Sequence, residues 1–146
     1  MMPNRASAGF VAAFVVAALA APEPTAHAAG LEFFQTPSGN IGCGIGPMES
    51  SAFAGCEIRE HSYPVPPRPN PCMGAWGSRI SMHQGAPAQM SCHSDTILGT
   101  GYPVLQYGQT RSFNSITCES QESGITCTDH STGHYFRLSR DAYELH

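Results

Sequence analysis

Apolar and polar positions are unevenly spread along this chain. Ala8 to Ala21 is one unbroken apolar run, Gly9 included. From Leu31 onward, apolar residues come a few at a time, separated by Gly, Pro, Asn and Ser. No stretch there holds a 3.6-residue period long enough for an amphipathic helix, and short β-prone runs between turn residues predict strands instead. Leu31 to Thr36 is the first. Pro37-Ser38-Gly39-Asn40 reads as a turn, because Pro fixes φ while Gly or Asn takes φ > 0 at little steric cost. Ile41 to Ile45 follows, with Ile41, Cys43 and Ile45 facing inward and the face of Gly42 and Gly44 either close to another backbone or weakly packed. Phe53 to Arg59, Ser78 to Met82 and Ala88 to His93 are further strands, the last with Met90 and Cys92 on one face. Thr96 to Leu98 and Val104 to Tyr107 are short β-prone pieces. Gln109 to Glu119 and Gly124 to Asp129 form a hairpin. Gly133 to Arg140 is a last strand, in which His134, Phe136 and Leu138 alternate with Tyr135, Arg137 and Ser139. Asp141 to His146 reads as a turn of helix or a frayed tail.

Two stretches break the pattern. Pro64 to Pro71 is dense in Pro, and a residue without an amide donor cannot sit in a central strand. That segment is expected to be polyproline-like, solvent-facing and pinned at its far end by Cys72. The sole Trp, Trp76, lies in Gly74-Ala75-Trp76-Gly77. It is expected to cover one end of the core, its glycines letting backbone approach the ring. The competing role is an exposed stacking platform. The sum is an all-β fold of about six to eight short strands, either a small disulfide-stabilised barrel or a curled antiparallel meander, with a β-sandwich as the alternative.

The opening run changes what counts as structure. Arg5, the apolar segment, Pro22 and Pro24, and Ala26-His27-Ala28 together read as a secretory signal peptide over residues 1–28. The run is shorter than the roughly 20 residues a spanning helix needs, so no stable membrane anchor is expected. Residues 29–146 are then a single exported domain. Export leads to an oxidising compartment, where an even number of Cys implies a disulfide framework. Six are present: Cys43, Cys56, Cys72, Cys92, Cys118 and Cys127. Many pairings are open to them. The sequential one is preferred, because each bridge closes a short loop. For the last pair, Ile116-Thr117-Cys118 and Ile125-Thr126-Cys127 look like antiparallel strands that bring the sulfurs together.

Charge removes some partners. The net charge is -4, and all basic residues are Arg; a polybasic nucleic-acid or anionic-membrane binder needs clustered positive charge. Charged residues make up only 12% of the chain, so little of the surface is built for salt-bridge networks.

A set of short motifs has a recognisable order. Phe34 through Cys43 reads FQTPSGNIGC. Cys72 with Trp76-Gly77, Leu105 with Tyr107-Gly108, and Gly124-Ile125-Thr126-Cys127 follow, and Gly133 through Arg140 reads GHYFRLSR before Tyr143. The whole resembles a family of small secreted actinobacterial, mycobacterial-like proteins of uncharacterised function. The resemblance implies a secreted disulfide-bearing domain and supplies no catalytic residues. There is also an internal echo: Ser38-Gly39-Asn40-Ile41-Gly42-Cys43 and Ser123-Gly124-Ile125-Thr126-Cys127 both place Ser-Gly before an Ile and then a Cys.

The candidate chemistry is thin. Cys118, Cys127, His130 and His134 have the types of a structural zinc site, but exported thiols are expected to oxidise, so no metal and no cofactor is assigned. His83, His93, Asp95, Asp129 and His130 are the obvious bases and orienters for a hydrolase, yet none stands at a known spacing from a nucleophilic Ser. No catalytic residue is assigned. The expected function is a secreted, non-catalytic binding or interaction domain at or outside the cell envelope. Its partner would be a protein, a glycan or a small ligand. One version is an inhibitor that plugs a cell-wall hydrolase, with Trp76, Asp95, Tyr102 and Tyr107 as the contact residues. A small secreted hydrolase and a structural envelope protein are the alternatives. The first predicts converging His and acidic groups in a cleft, and the second neither cleft nor exposed patch.

Overall fold

The computed structural model describes Gly9 and residues 30–146; the signal-peptide reading of residues 1–28 lies outside the described residues. Ten strands form two antiparallel sheets, each a simple up-and-down meander. The first contains β1 (Glu32–Gln35), β2 (Ile41–Met48), β3 (Ser51–Ile58), β4 (Arg79–His83) and β5 (Gln89–Met90), in that order. The second runs β6 (Thr110–Phe113), β7 (Ile116–Gln121), β8 (Gly124–Asp129), β9 (Tyr135–Leu138) and β10 (Tyr143–Leu145). The sheets are not closed into a barrel by hydrogen bonds. They meet through β2 on β6, β3 on β7 and β4 on β9, and one continuous core lies between them.

The alternation of the sequence explains that core. Ile116, Cys118 and Ser120 of β7, Ile125, Cys127 and Asp129 of β8, and Phe136 and Leu138 of β9 are buried, while their neighbours are half-exposed or exposed. Such period-2 burial is what a sheet with one wet face requires. β2 and β3 are buried along nearly their whole length, because Ile97 and Leu98 of the loop after β5 cover Gly42, and the Phe33 and Phe53 rings cover Gly44 and Gly55. Gly42 lies under that loop: a Cβ there would stand 3.3 Å from the Ile97 carbonyl oxygen.

The disulfides follow the sequential pairing: Cys43–Cys56, Cys72–Cys92 and Cys118–Cys127. The first and third join residues directly opposite in register, across β2–β3 and β7–β8. Their Cα separations are 4.1 and 4.0 Å, near the narrow spacing of a non-hydrogen-bonded antiparallel pair. All four of these cysteines are fully buried. The second bridge does a different task. It ties the Pro-rich connection between β3 and β4 to the segment after β5.

Several expectations are corrected. Gln109 to Glu119 is two strands, β6 and β7, because Asn114 turns the chain with φ 49°. Asn tolerates this left-handed region better than most residues. Ala88 to His93 supplies only the two-residue β5. Beyond it, His93 pairs with Ala75 instead (N–O 2.7 and 3.1 Å) and Cys92 leaves the sheet, exposed, to reach Cys72. Thr96 to Leu98 is loop, and of Val104 to Tyr107 only Val104 makes a bridge, to Gln35. Asp141 to His146 is neither helix nor frayed tail: β10 pairs along β9.

The Pro-rich stretch is irregular and largely exposed, as its missing amides demand. Trp76 is half-buried against the core, and its indole donates to the Pro66 carbonyl at 2.9 Å. The adjacent glycine serves another contact. Gly77 has φ +100°, and a Cβ there would meet Val65 at 2.6 Å.

Candidate functional site

Every connection within a meander reverses direction, so successive turns fall at opposite ends of a sheet. The β2–β3, β4–β5, β6–β7 and β8–β9 turns gather at one end around an open cavity of about 610 Å³. Phe113, Ala52 and Pro47 give it apolar wall. Glu49, Ser51, Gln84, Asn114 and Ser131 give it hydroxyl, amide and carboxylate groups. Two of these, Glu49 (φ 56°) and Asn114 (φ 49°), are the non-glycine residues with positive φ among those described.

Asp129 holds this rim in place. It ends β8 and is fully buried. Its Oδ2 accepts from the Gly85 amide at 2.7 Å, across the sheet-to-sheet boundary. Its Oδ1 accepts from the Ser115 hydroxyl (2.7 Å), the Ser131 hydroxyl (2.7 Å) and the Ser131 amide (2.9 Å). One carboxylate thereby fixes three turns against each other. Burial acts to raise its pKa, and the hydrogen bonds from Gly85, Ser115 and Ser131 outweigh that and hold it well below the usual carboxylate range.

One nucleophile–base pair adjoins the cavity, with Ser51 but not His83 lining its wall. The Ser51 hydroxyl, on its wall, lies 3.1 Å from His83 Nδ1. β3 and β4 are adjacent, and Phe53 stands opposite His83 in register. The two rings meet edge-on at 5.2 Å. Among the described residues His83 has no carboxylate to orient it, and the nearby Gly85 amide is occupied by Asp129. Among the described residues the pair therefore has no carboxylate as third member, and the Gly85 amide is not free to hold an oxyanion.

The other buried titratable groups are spent on structure. Glu57, buried in β3, accepts from Arg79 Nη2 (2.8 Å) and Nε (3.3 Å), from the Thr96 hydroxyl and from the Ile97 amide. The same Arg79 reaches Asp95 at 2.8 Å. Asp95 is exposed, and the hydrogen bond and charge of Arg79 lower its pKa. His93 Nδ1–H donates to the Asp95 carbonyl (2.7 Å), and its Nε2 lies 3.3 Å from the Ser78 hydroxyl. This second Ser–His pair does not line the Ser51 cavity. Tyr63 is buried, its hydroxyl donating to the Gly77 carbonyl at 2.8 Å; burial, then the neighbouring Tyr143, push its pKa up to about 12.

The four contact residues expected from sequence do not come together. Trp76 is tied to Pro66, and Asp95 to Arg79. Tyr102 stacks on Phe33 at 5.3 Å between ring centres. Tyr107 is half-exposed and lines a small cavity at the other end of the sheets. Of the would-be zinc ligands, Cys118 and Cys127 are bonded to each other. Among the described residues no three His, Cys, Asp or Glu cluster to hold a metal ion.

Residues 13–146 match the model of one protein family. The chain belongs to the family of unknown function DUF6636. No curated protein and no solved structure matches it. Family membership names no chemistry, so the geometry must carry the functional reading. Three disulfides and no free Cys among the described residues point to an oxidising, extracytoplasmic setting.

Sequence reasoning missed Ser51, Glu49, Asn114 and Ser131. They lie in hairpin turns whose ends meet only after both meanders form. Asn114 before Ser115 was the one available turn signal.

Proposed function

We propose that this is a secreted, extracytoplasmic recognition domain that binds without turnover, its ligand seated in the Ser51 cavity. The observation that carries this is the rim: four turns from two sheets, three of them pinned by the Asp129 carboxylate, around a space of about 610 Å³. That volume falls in the ordinary range for small-ligand sites. Rigid turns lower the ordering cost of binding. A hydroxyl- and amide-rich wall beside Phe113 suits a neutral polar ligand with one apolar face, such as an amide-bearing saccharide of the envelope. Nucleic acid is a poor fit to a chain of net charge -4.

The test is an amide NMR titration of the oxidised protein with N-acetylglucosamine oligomers. Saturable shifts at Gly85, Asn114 and Ser131 are expected, and a Phe113→Ala variant should lose them. No shifts, or shifts that never saturate, would end this reading.

One observation favours a second reading, a small hydrolase: the 3.1 Å contact of Ser51, on the cavity wall, with the adjoining His83. There the Ser51 oxygen would attack an acyl carbonyl while His83 took its proton and passed it to the leaving group as that group's bond to the acyl carbon broke, and water would then hydrolyse the acyl-serine to the free acid. A fluorophosphonate probe separates the two. Labelling that Ser51→Ala abolishes would establish turnover chemistry, and an unlabelled Ser51 leaves binding alone.

A further inference from the structure

The opposite end of the molecule is built differently. The β1–β2 turn, the residues just after β3, the β7–β8 turn and the β9–β10 turn gather there around two cavities, of about 330 and 240 Å³. The two share Ser38, Asn40 and Arg140, so they form one groove. The chain has few cations, and two of its Arg lie in this groove.

We propose that this groove receives an acidic saccharide, its carboxylate or phosphate held between Arg59 and Arg140 and its hydroxyl-bearing ring beside Tyr107. Arg59 is set in position beforehand. Its amide donates to the Asn40 carbonyl (2.9 Å), its Nε to the Gly39 carbonyl (3.1 Å) and its Nη2 to the Gly99 carbonyl (2.9 Å). All three acceptors are neutral, so the guanidinium keeps its charge uncompensated. Among the described residues its Nη1 has no partner. A planar donor fork already ordered this way loses little freedom on meeting an oxyanion.

Arg140 supplies the second cation. Its one ion pair among the described residues is with Glu60, at 3.4 Å, with both side chains about two-thirds exposed (65% and 73%). Such a pair is weak and screened by solvent, so an incoming carboxylate or phosphate can replace Glu60. The roots of both side chains are fixed. The Asn40 side chain grips the Glu60 backbone in both directions, at 2.9 and 3.0 Å. The Arg140 carbonyl accepts from the Ser62 amide at 2.8 Å.

The smaller cavity adds what a sugar ring needs. Ser38, Asn40, Gln121 and Ser139 offer hydroxyl and amide groups, and the half-exposed Tyr107 ring offers an apolar face. Its wall also includes Ile41 from the first segment of the internal echo and Gly124 from the second. This site is at the other end from the Ser51 cavity and does not rest on how that cavity is read.

The experiment titrates the oxidised full chain with glucuronate, glucose 6-phosphate and glucose at fixed ionic strength, following amide shifts. Glucuronate, glucose 6-phosphate or both should saturate shifts at Gly39, Asn40, Glu60, Gly124 and Arg140, and glucose should not. Which acid binds tells a uronic acid from a phosphate-bearing sugar. Arg140→Gln should weaken binding about ten-fold, the cost of one charge-assisted contact. Glu60→Gln removes the competitor and should tighten it about two- to five-fold. Because the two exposed substitutions act in opposite directions, loss of folding cannot imitate the result. Equal binding of glucose, shifts that never saturate, or an affinity unmoved by Glu60→Gln would overturn the proposal.

Discussion

Asp129 keeps a carboxylate where solvent does not reach, and its hydrogen bonds decide what that does to stability. The unfolded chain ionises such a group near pH 4. In the folded protein the donors from Gly85, Ser115 and Ser131 hold its pKa below that value, against the opposing effect of burial. A depressed pKa means the stabilisation is complete above about pH 4 and lost as the pH falls below it. Asp129→Asn turns one acceptor oxygen into a donor facing amides and hydroxyls. At pH 7 it should cost about 1–3 kcal/mol, the usual penalty for an unsatisfied buried polar group. Urea midpoints for both proteins at pH 7 and pH 3 check this. The gap between them should narrow at pH 3, and a gap of equal size at both would show that the ionised form is not what the site holds. None of this is legible in the sequence. Asp129 is one acid among several, and its decisive partner, Gly85, is 44 residues away. By contrast, Cys118 and Cys127 could be paired by eye, since each ends a short Ile-Thr run and the two strands needed only to lie side by side.

At the scale of elements, legibility followed local chemistry. Turns with Pro, Gly or Asn in strong positions, such as Pro37 to Asn40, stand where the pattern puts them. β10 was missed because Tyr143 to Leu145 has only one half-buried side chain and is ordered by pairing with β9. β5 was overextended because Cys92 is drawn out of the sheet by its bridge to Cys72. That bridge makes an element-level prediction. Cys43–Cys56 and Cys118–Cys127 reinforce strands already paired in register. Cys72–Cys92 instead secures a segment with few backbone hydrogen bonds and many exposed Pro. Replacing Cys72 and Cys92 by Ala should cost about 3 kcal/mol through the released 20-residue loop. It should leave the amide spectrum of β6 to β10 unchanged. Trp76, which lies in that loop with its indole held by Pro66 just before it, should show red-shifted emission in the variant. An unaltered emission would mean that the core contact alone orders Trp76.

At the scale of the whole molecule, the two sheets are covalently separate in their bridges: no disulfide among the described residues crosses between β1–β5 and β6–β10. Each sheet has one face that needs covering. Phe34, Ile45, Ile58, Ile80 and Met82 on one side meet Ile116, Ile125, Phe136 and Leu138 on the other, all at 1% exposure or less. Either half alone would leave that apolar surface in water, and this exposure weighs most heavily against its folding by itself. Polar ties reinforce the union at both ends: Gly85 to Asp129, Ala88 to His146, Glu32 to Arg111 and Ser62 to Arg140. The halves should therefore unfold together in one transition. A protease site placed at the exposed Thr100 offers the sharpest check. After cleavage the protein should elute as one species under native conditions and part into two in denaturant without reductant. Its unfolding curves from Trp76 emission and from far-UV circular dichroism should still coincide. If the cut halves drift apart under native conditions, or the two probes melt separately, the sheets are independent units, and a ligand at the Ser51 cavity, whose rim draws on both, would have no rigid frame to bind.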